Sequence, residues 1–323
     1  MMREPFRIGV DLGGTKTEAI AMGPMGETLA RRRAPTPAHD YAAVLATIGG
    51  LVLELEREIG GRGSVGVGTP GVISPRTGLV KNSNTTGLNG KPLDKDLEAL
   101  LGRPVRLEND ANCFALSEAV DGAGAGARSV FGVILGTGVG GGIVVDGKVL
   151  QGVNKVAGEW GHTPLPWMTP GEFPGRLCYC GHHGCVETFL AGPALAFDYG
   201  QRSGAEASGE EIAARAAAGE AAARHALEIY RDRLSRALAG IVNLLDPDVI
   251  VLGGGVSNID FIYEGLRDLV EKQAFSDAID TRILRNVHGD SGGVRGAAWL
   301  WGGPDREGAV PIDPRSPRIC GSD

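Results

Sequence analysis

The stretch CYCGHHGC, residues 178–185, holds three of the chain's five cysteines and two of its six histidines. Thiolates and neutral imidazoles are zinc ligands, and this spacing gathers three sulfurs on one short loop. A disulfide across Cys178-x-Cys180 would be geometrically poor. A closed tetrahedral site needs a fourth ligand. His182 and His183 stand inside the loop, and His162 stands upstream in GEWGH.

Two further clusters could do chemistry. In GVDLGGTKT, a strand delivers Asp11 into Gly13, Gly14, Thr15 and Lys16. Backbone N–H groups, a hydroxyl and an ammonium together suit phosphate oxygens, and the aspartate can hold Mg²⁺ through water. The plain alternative is a tight hairpin turn. In ENDAN, Asp110 follows a strand and opens a helix, flanked by Asn109 and Asn112. Such a carboxylate could take a proton from a substrate hydroxyl, or these residues could serve only as helix caps.

Glycine-rich motifs are abundant, and most do not mean what they superficially spell. GTGVGG (136–141) and GVGTPG (66–71) both fit G-x-G-x-x-G. Neither runs into a helical pattern, so the helix N-terminus that would meet a dinucleotide pyrophosphate is missing. No Walker A sequence occurs. The 52 glycines sit largely in short clusters after apolar runs, which suggests backbone approaching ligands.

The elements that must position these groups are legible from periodicity. Residues 6–34 read as a β-meander, 40–59 as a helix, 64–69 as a strand, and LDKDLEALLG as a short helix ended by Gly102. PVRLENDANCFALSEAV is a strand running straight into a helix. A second strand set follows, with a VVDGKV hairpin. VDLGGTKTEAI and VILGTGVGGGIVV echo each other as strand, glycine turn, strand, hinting at two units on one plan. Beyond residue 186 the pattern turns helical, with the buried strand PDVIVLGGG and a helix at 293–302.

Composition bounds the rest. With 323 residues, 42% of them hydrophobic, the chain can build one large or two ordinary domains. The net charge of −7, without a Lys/Arg stripe beyond Arg31–Arg33, argues against nucleic-acid binding. No signal-peptide core and no membrane-spanning apolar run occur, so a cytoplasmic protein with reduced thiols and no membrane partner is expected. The sequon at Asn84 then carries no glycan, and the Pro/Arg/Asp-rich tail, 303–323 with Cys320, is expected to be disordered.

Taken together and in order, DLGGTKTE, GTPGVIS, ENDANCFALSEA, LGTGVGGG, GEWGH, CYCGHHGCVE and VIVLGGGVSN resemble the ROK family of bacterial sugar kinases, across residues 6–302. SPRTGLVKNSNTTGLNGKPLDKDL, AGEWGHTPLPWM and HGDSGGVRGAAWLW look most like bacterial fructokinases of the manno(fructo)kinase type. The resemblance implies an actin-like ATPase fold: α/β domains at 1–120 and 121–302 around a cleft, the helix near 293–302 packing back on the first. It implies ATP and Mg²⁺, a homodimer, and a structural zinc on His162, Cys178, Cys180 and Cys185, leaving His182 and His183 aside.

The same resemblance assigns roles at the cleft. Asp110 would be the base that takes the proton of the sugar C6 hydroxyl. Asn109, Glu159, Glu187, His162 and, in the variable loop, Asn84 would contact the sugar. Gly13–Lys16 and Gly136, Thr137, Gly138, Gly140 and Gly141 would embrace the phosphates, Gly253, Gly254 and Gly255 would lie by the adenosine, and Asp11 would help place Mg²⁺. Fructose is the expected hexose, with mannose as a side substrate; N-acetylglucosamine or glucose is the alternative. The ten residues before Asp11 leave no room for a helix-turn-helix, so the family's DNA-binding repressors are not expected here.

Overall fold

The structure, a computed structural model, describes residues 6–83 and 85–303; Asn84 and the tail from residue 304, including Cys320, lie outside the described residues. Alternating apolar residues fold β1 (Arg7–Leu12), β2 (Lys16–Met22) and β3 (Thr28–Pro35) into an antiparallel meander. Helix α1 (Tyr41–Ile59) follows, started by the Asp40 carboxylate accepting from the Ala43 amide and stopped by Gly60 at φ 78°. Strand β4 (Ser64–Thr69) returns parallel to β1.

The turn-rich stretch after it forms the two-residue ladder of β5 (Val72–Ile73) with β6 (Val80–Lys81). Helix α2 (Leu93–Leu101) ends at Gly102, and β7 (Val105–Asn109), parallel to β4, runs directly into α3 (Asp110–Val120). The sheet order is β3-β2-β1-β4-β7.

The second half repeats that plan. Strands β8 (Ser129–Leu135) and β9 (Val139–Val145) pair antiparallel, and β10 (Lys148–Val149) adds the edge. Asp146 and Gly147 both hold positive φ, as a two-residue hairpin turn of this twist requires. After a long irregular segment come α4 (Glu187–Leu190), α5 (Gly192–Ser203), α6 (Gly209–Ala217) and α7 (Ala221–Leu245). Strand β11 (Val249–Gly253), α8 (Leu266–Gln273), β12 (Arg282–Arg285) and α9 (Gly292–Trp299) complete the described elements. The order β10-β9-β8-β11-β12 matches the first sheet strand for strand. The echo between the two glycine turns is therefore the trace of one topology used twice.

Helix α9 is shorter than the 293–302 that periodicity predicts. The Leu300 amide reaches back only three residues, to the Ala297 carbonyl, and Gly302 sits at φ 103°, so the last turn unwinds.

One apolar cluster fills the first sheet and α1–α2, and another the second sheet and α4–α8. A third draws Ile20 and Met22 from the first sheet, Val130, Val144 and Val249 from the second, and Phe114, Val294 and Trp299 from α3 and α9. These two helices join the halves. They do so by approaching where side chains are absent: a Cβ on Gly296 would lie 1.7 Å from the Cys113 carbonyl oxygen, and one on Gly66 1.9 Å from that of Ala297.

The segment 169–177 is held from below. Glu172 is nearly buried and takes hydrogen bonds from Arg233, Arg236 and the Thr169 amide. Although burial raises its pKa, the two guanidinium groups hold it down to about 2. Among the described residues no helix is long and apolar enough to cross a membrane.

The glycine contacts give a direct test of the joint. Gly66→Ala must push its Cβ into backbone, and overpacking of that kind costs about 1–3 kcal/mol. Chemical denaturation is expected to show a loss in that range, whereas Gly50→Ala, inside α1 with open space around its Cβ, is expected to gain about 0.5–1 kcal/mol.

Candidate functional site

In a parallel sheet the crevice for ligands opens at the carboxyl ends of the strands. Here that edge carries Asp11 on β1, opposite Gly68 of β4 and Glu18 of β2, while Asn109 ends β7 opposite Thr69. Gly13 to Lys16 form an exposed or half-exposed turn closed by the Gly13 amide on the Lys16 carbonyl at 3.0 Å. Beside Gly14 lies Thr85, 2% exposed, whose hydroxyl has no partner among the described residues. The polar, turn-rich neighbourhood of Thr85 gives no sign in the sequence that it is buried.

Asn109 and Asp110 share the start of α3. The Asn109 side chain caps the helix by accepting from the Ala111 and Asn112 amides at 3.0 and 3.3 Å. The half-buried Asp110 accepts from the Ala111 amide at 2.8 Å, and burial, with the nearby Glu159 carboxylate, raises its pKa despite that bond. Asp11 is pushed up to about 7, first by burial and then by the charges of Asp110 and Glu18, with Lys16 opposing. Glu18 itself is tied outward to Arg31 and Arg33, at 3.2 and 2.7 Å. Asp110 therefore feels the Glu159 carboxylate across the two halves of the chain, and Asp11 feels Asp110.

The second sheet presents its own edge. A cavity of about 1010 Å³ is lined by Gly136, Thr137, Gly192, Gly255, Arg224 and Phe261, among others. Gly254, at φ 83°, passes so close to Leu135 that a Cβ would strike its backbone at 2.5 Å. Of the glycines assigned to ligands, Gly136 and Gly255 line this cavity and the others do not. Gly140 and Gly141 lie within β9 against Ala111 and Trp160, and Gly253 lies under the Phe114 ring. Their missing side chains admit protein. Gly138 abuts the Glu187 carboxylate, whose Oε2 accepts from the Val139 amide at 3.0 Å while Oε1 faces the Cys178 sulfur at 3.8 Å.

His162, Cys178, Cys180 and Cys185 converge, their candidate ligand atoms all within 4.8 Å of one another. Cys180 and Cys185 sulfurs are 3.5 Å apart, and His162 Nδ1 is 3.5 Å from the Cys178 sulfur. A tetrahedron with Zn–S bonds of about 2.3 Å has edges of about 3.8 Å, so the four groups fit zinc with small adjustments. Hydrogen bonds from the His182 backbone and ring hold the Cys180 thiol down to about 6. His183 turns away to the Gly175 carbonyl at 3.0 Å. The two segments meet through the bridge between Pro164 and Cys185 and the Val186 amide on the Thr163 carbonyl.

Comparison with known proteins places this geometry in context. The ROK family model matches residues 7–303. The chain belongs to the ROK family. It is 45% identical over 296 residues to an N-acetyl-D-glucosamine kinase of Vibrio cholerae serotype O1, covering 90% of this chain and 98% of that one. A ROK hexokinase from Thermus thermophilus superimposes with a TM-score of 0.80 at 34% identity, over 91% of this chain and 96% of that one. A ROK glucokinase from Streptomyces griseus, solved with glucose and AMPPNP, gives 0.74 at 28% identity, over 91% and 98%. The paired mixed sheets are those of the actin-like ATPase fold seen in these ROK proteins.

Asp11 yields a prediction with a definite sign. Its folded pKa of about 7 stands above its unfolded value, so folding favours its protonated form. That contribution is complete below pH 4 and is lost as pH rises through 7. In metal- and nucleotide-free protein, Asp11→Asn is therefore expected to raise Tm at pH 8 by about 2 °C or more and to flatten its decline between pH 5 and 8. An unchanged thermal profile contradicts the assignment.

Proposed function

We propose that this ROK protein is an ATP-dependent kinase that phosphorylates the C6 hydroxyl of N-acetyl-D-glucosamine. The observation that carries the substrate is the near full-length similarity, at 45% identity, to an N-acetyl-D-glucosamine kinase. It replaces the fructose expectation, which rested on residues 72–90 and the segment after GEWGH. In the structure, Asn89 bonds the Ser83 amide and carbonyl at 3.0 and 2.8 Å, and Ser83 bonds Thr85. Those bonds hold the shape of the loop whose sequence suggested fructose.

On this reading Asp110 accepts the proton of the sugar hydroxyl as it attacks the γ-phosphate. Its raised pKa makes it a stronger base than a surface carboxylate, while the α3 N-terminus and the Ala111 amide favour its ionised form. Asn109 and Glu159 flank it as sugar contacts. Thr137 and the Gly13–Lys16 turn face the phosphates, and the cavity by Gly136 and Gly255 takes the adenosine. Asp11 is the side chain that would hold Mg²⁺, which when bound neutralises charge on the phosphates. His162 and the three cysteines would hold a zinc ion that braces the segment bearing Glu159 against the one bearing Glu187. Phosphoryl transfer asks mainly for such positioning and charge compensation.

The test is ATP-dependent phosphorylation of N-acetylglucosamine, glucose, mannose and fructose by wild-type protein and by Asp110→Asn. N-acetylglucosamine is expected to give the highest kcat/KM. The variant is expected to bind sugar and ATP near normally and lose about two or more orders of magnitude in kcat. Preference for another hexose overturns the substrate; undiminished turnover removes Asp110 from the chemistry.

A further inference from the structure

Glu108 is a nearly buried carboxylate, 7% exposed, with no role in the scheme above. Its Oε1 accepts from the Asn109 amide at 2.9 Å and from Asn112 Nδ2 at 3.0 Å. Its Oε2 accepts from Gln151 Nε2. Glu108 belongs to the first sheet, whereas Gln151 lies just past β10 at the edge of the second. This side-chain bond therefore crosses between the halves beside Asp110.

Gln151 begins the segment that delivers Glu159 and His162. Its carbonyl accepts from the Ala157 amide at 3.3 Å, and the Lys155 amide bonds the Gly152 carbonyl at 3.2 Å, so 151–157 is a closed turn. A second bond crosses in the same place, from Lys81 Nζ to the Asn154 carbonyl at 3.2 Å. At its far end the segment is fixed on β9. Trp160 Nε1 donates to the Gly140 carbonyl at 2.9 Å, and a Cβ on Gly158 would lie 2.5 Å from the Gly141 oxygen. With that end fixed, Gln151 sets the other.

We propose that Gln151 is a positioning residue for the sugar site: its amide, donated to Glu108, holds the segment bearing Glu159 and His162 in register with the loop bearing Asn109 and Asp110. The polarity of the pair matters. Both Glu108 oxygens accept in the structure, so position 151 must donate, which glutamine can do and an ionised glutamate cannot. The inference rests on the sugar-kinase reading for its substrate, but its chemistry is testable through sugar binding alone.

The experiment is a polarity swap, comparing wild type, Gln151→Glu, Glu108→Gln and the double variant Glu108→Gln/Gln151→Glu. Kd for N-acetylglucosamine is read by calorimetry, alongside KM for sugar and for ATP and the Tm. Gln151→Glu sets two carboxylates face to face, and is expected to weaken sugar Kd and KM about tenfold or more while ATP KM changes less than about twofold. Glu108→Gln alone is mild, because its amide can donate to a flipped Gln151. The double variant restores a donor–acceptor pair and is expected to recover to within about threefold of wild type. A merely structural bond would instead lower Tm and weaken both substrates together. Unchanged sugar affinity in Gln151→Glu, or a loss that the double variant does not repair, overturns the proposal. Wild-type protein that binds sugar without turning it over defeats the kinase reading, and the same pattern in Kd still decides the role of Gln151. Wild-type protein that binds none of the sugars overturns both.

Discussion

Helix α3 can carry Asp110 into the middle of the molecule only because its neighbours lack side chains where it passes. Gly132 and Gly142 let Ala115 and Ala111 rest on the second sheet, and Gly296 brings α9 onto the Cys113 carbonyl. Gly9 and Gly66 in turn let α9 lie on the first sheet. Interiors pack at near-crystalline density, so an added methyl at such a crossing displaces a whole helix. The N-terminus of α3 is thereby fixed against both sheets, and the strand ends converge on one crevice.

That crevice concentrates like charge. Burial raises the pKa of Asp11 and of Asp110, and the charge of Asp110 on Asp11 and of Glu159 on Asp110 adds to the effect. Such a cluster is costly for a fold with no cation present and useful for phosphoryl transfer, where Mg²⁺ and the leaving phosphate bring compensating charge into the site. The contacts around it divide the labour. Glu18 with its two arginines backs Asp11, and Glu108 with Gln151 backs Asn109 and Asp110. On the other wall, Glu187 links the Val139 amide to Cys178 of the cysteine loop.

Local signals made much of this legible in the sequence. The meander of β1–β3, helix α1, the Gly102 stop and the strand-to-helix step at Asn109 all follow from periodicity and capping chemistry. The convergence of His162 with Cys178, Cys180 and Cys185 followed from the ordered motifs. Pairings between distant positions were not legible. Glu108 with Gln151 is separated by 43 residues, and Glu172 with Arg233 by 61. Nothing in the spacing of either pair announces a contact. Glycines were visible but ambiguous: Gly140, Gly141 and Gly253 stand in the same clusters as Gly136 and Gly255, yet the former admit helices and aromatic rings and the latter line the cavity. The sugar was least legible, because the residues that move a proton or hold a phosphate are indifferent to its substituents.

On the proposed reading, the crevice between the two sheets aims a primary sugar hydroxyl at Asp110. The most direct measurement is ¹³C and ³¹P NMR of the product formed from ¹³C-labelled N-acetylglucosamine and ATP with Mg²⁺. The account predicts phosphorus coupling at C6 and at its neighbour C5, with ADP released in equal amount. Coupling at C1, or inorganic phosphate formed with the sugar unmodified, would contradict it.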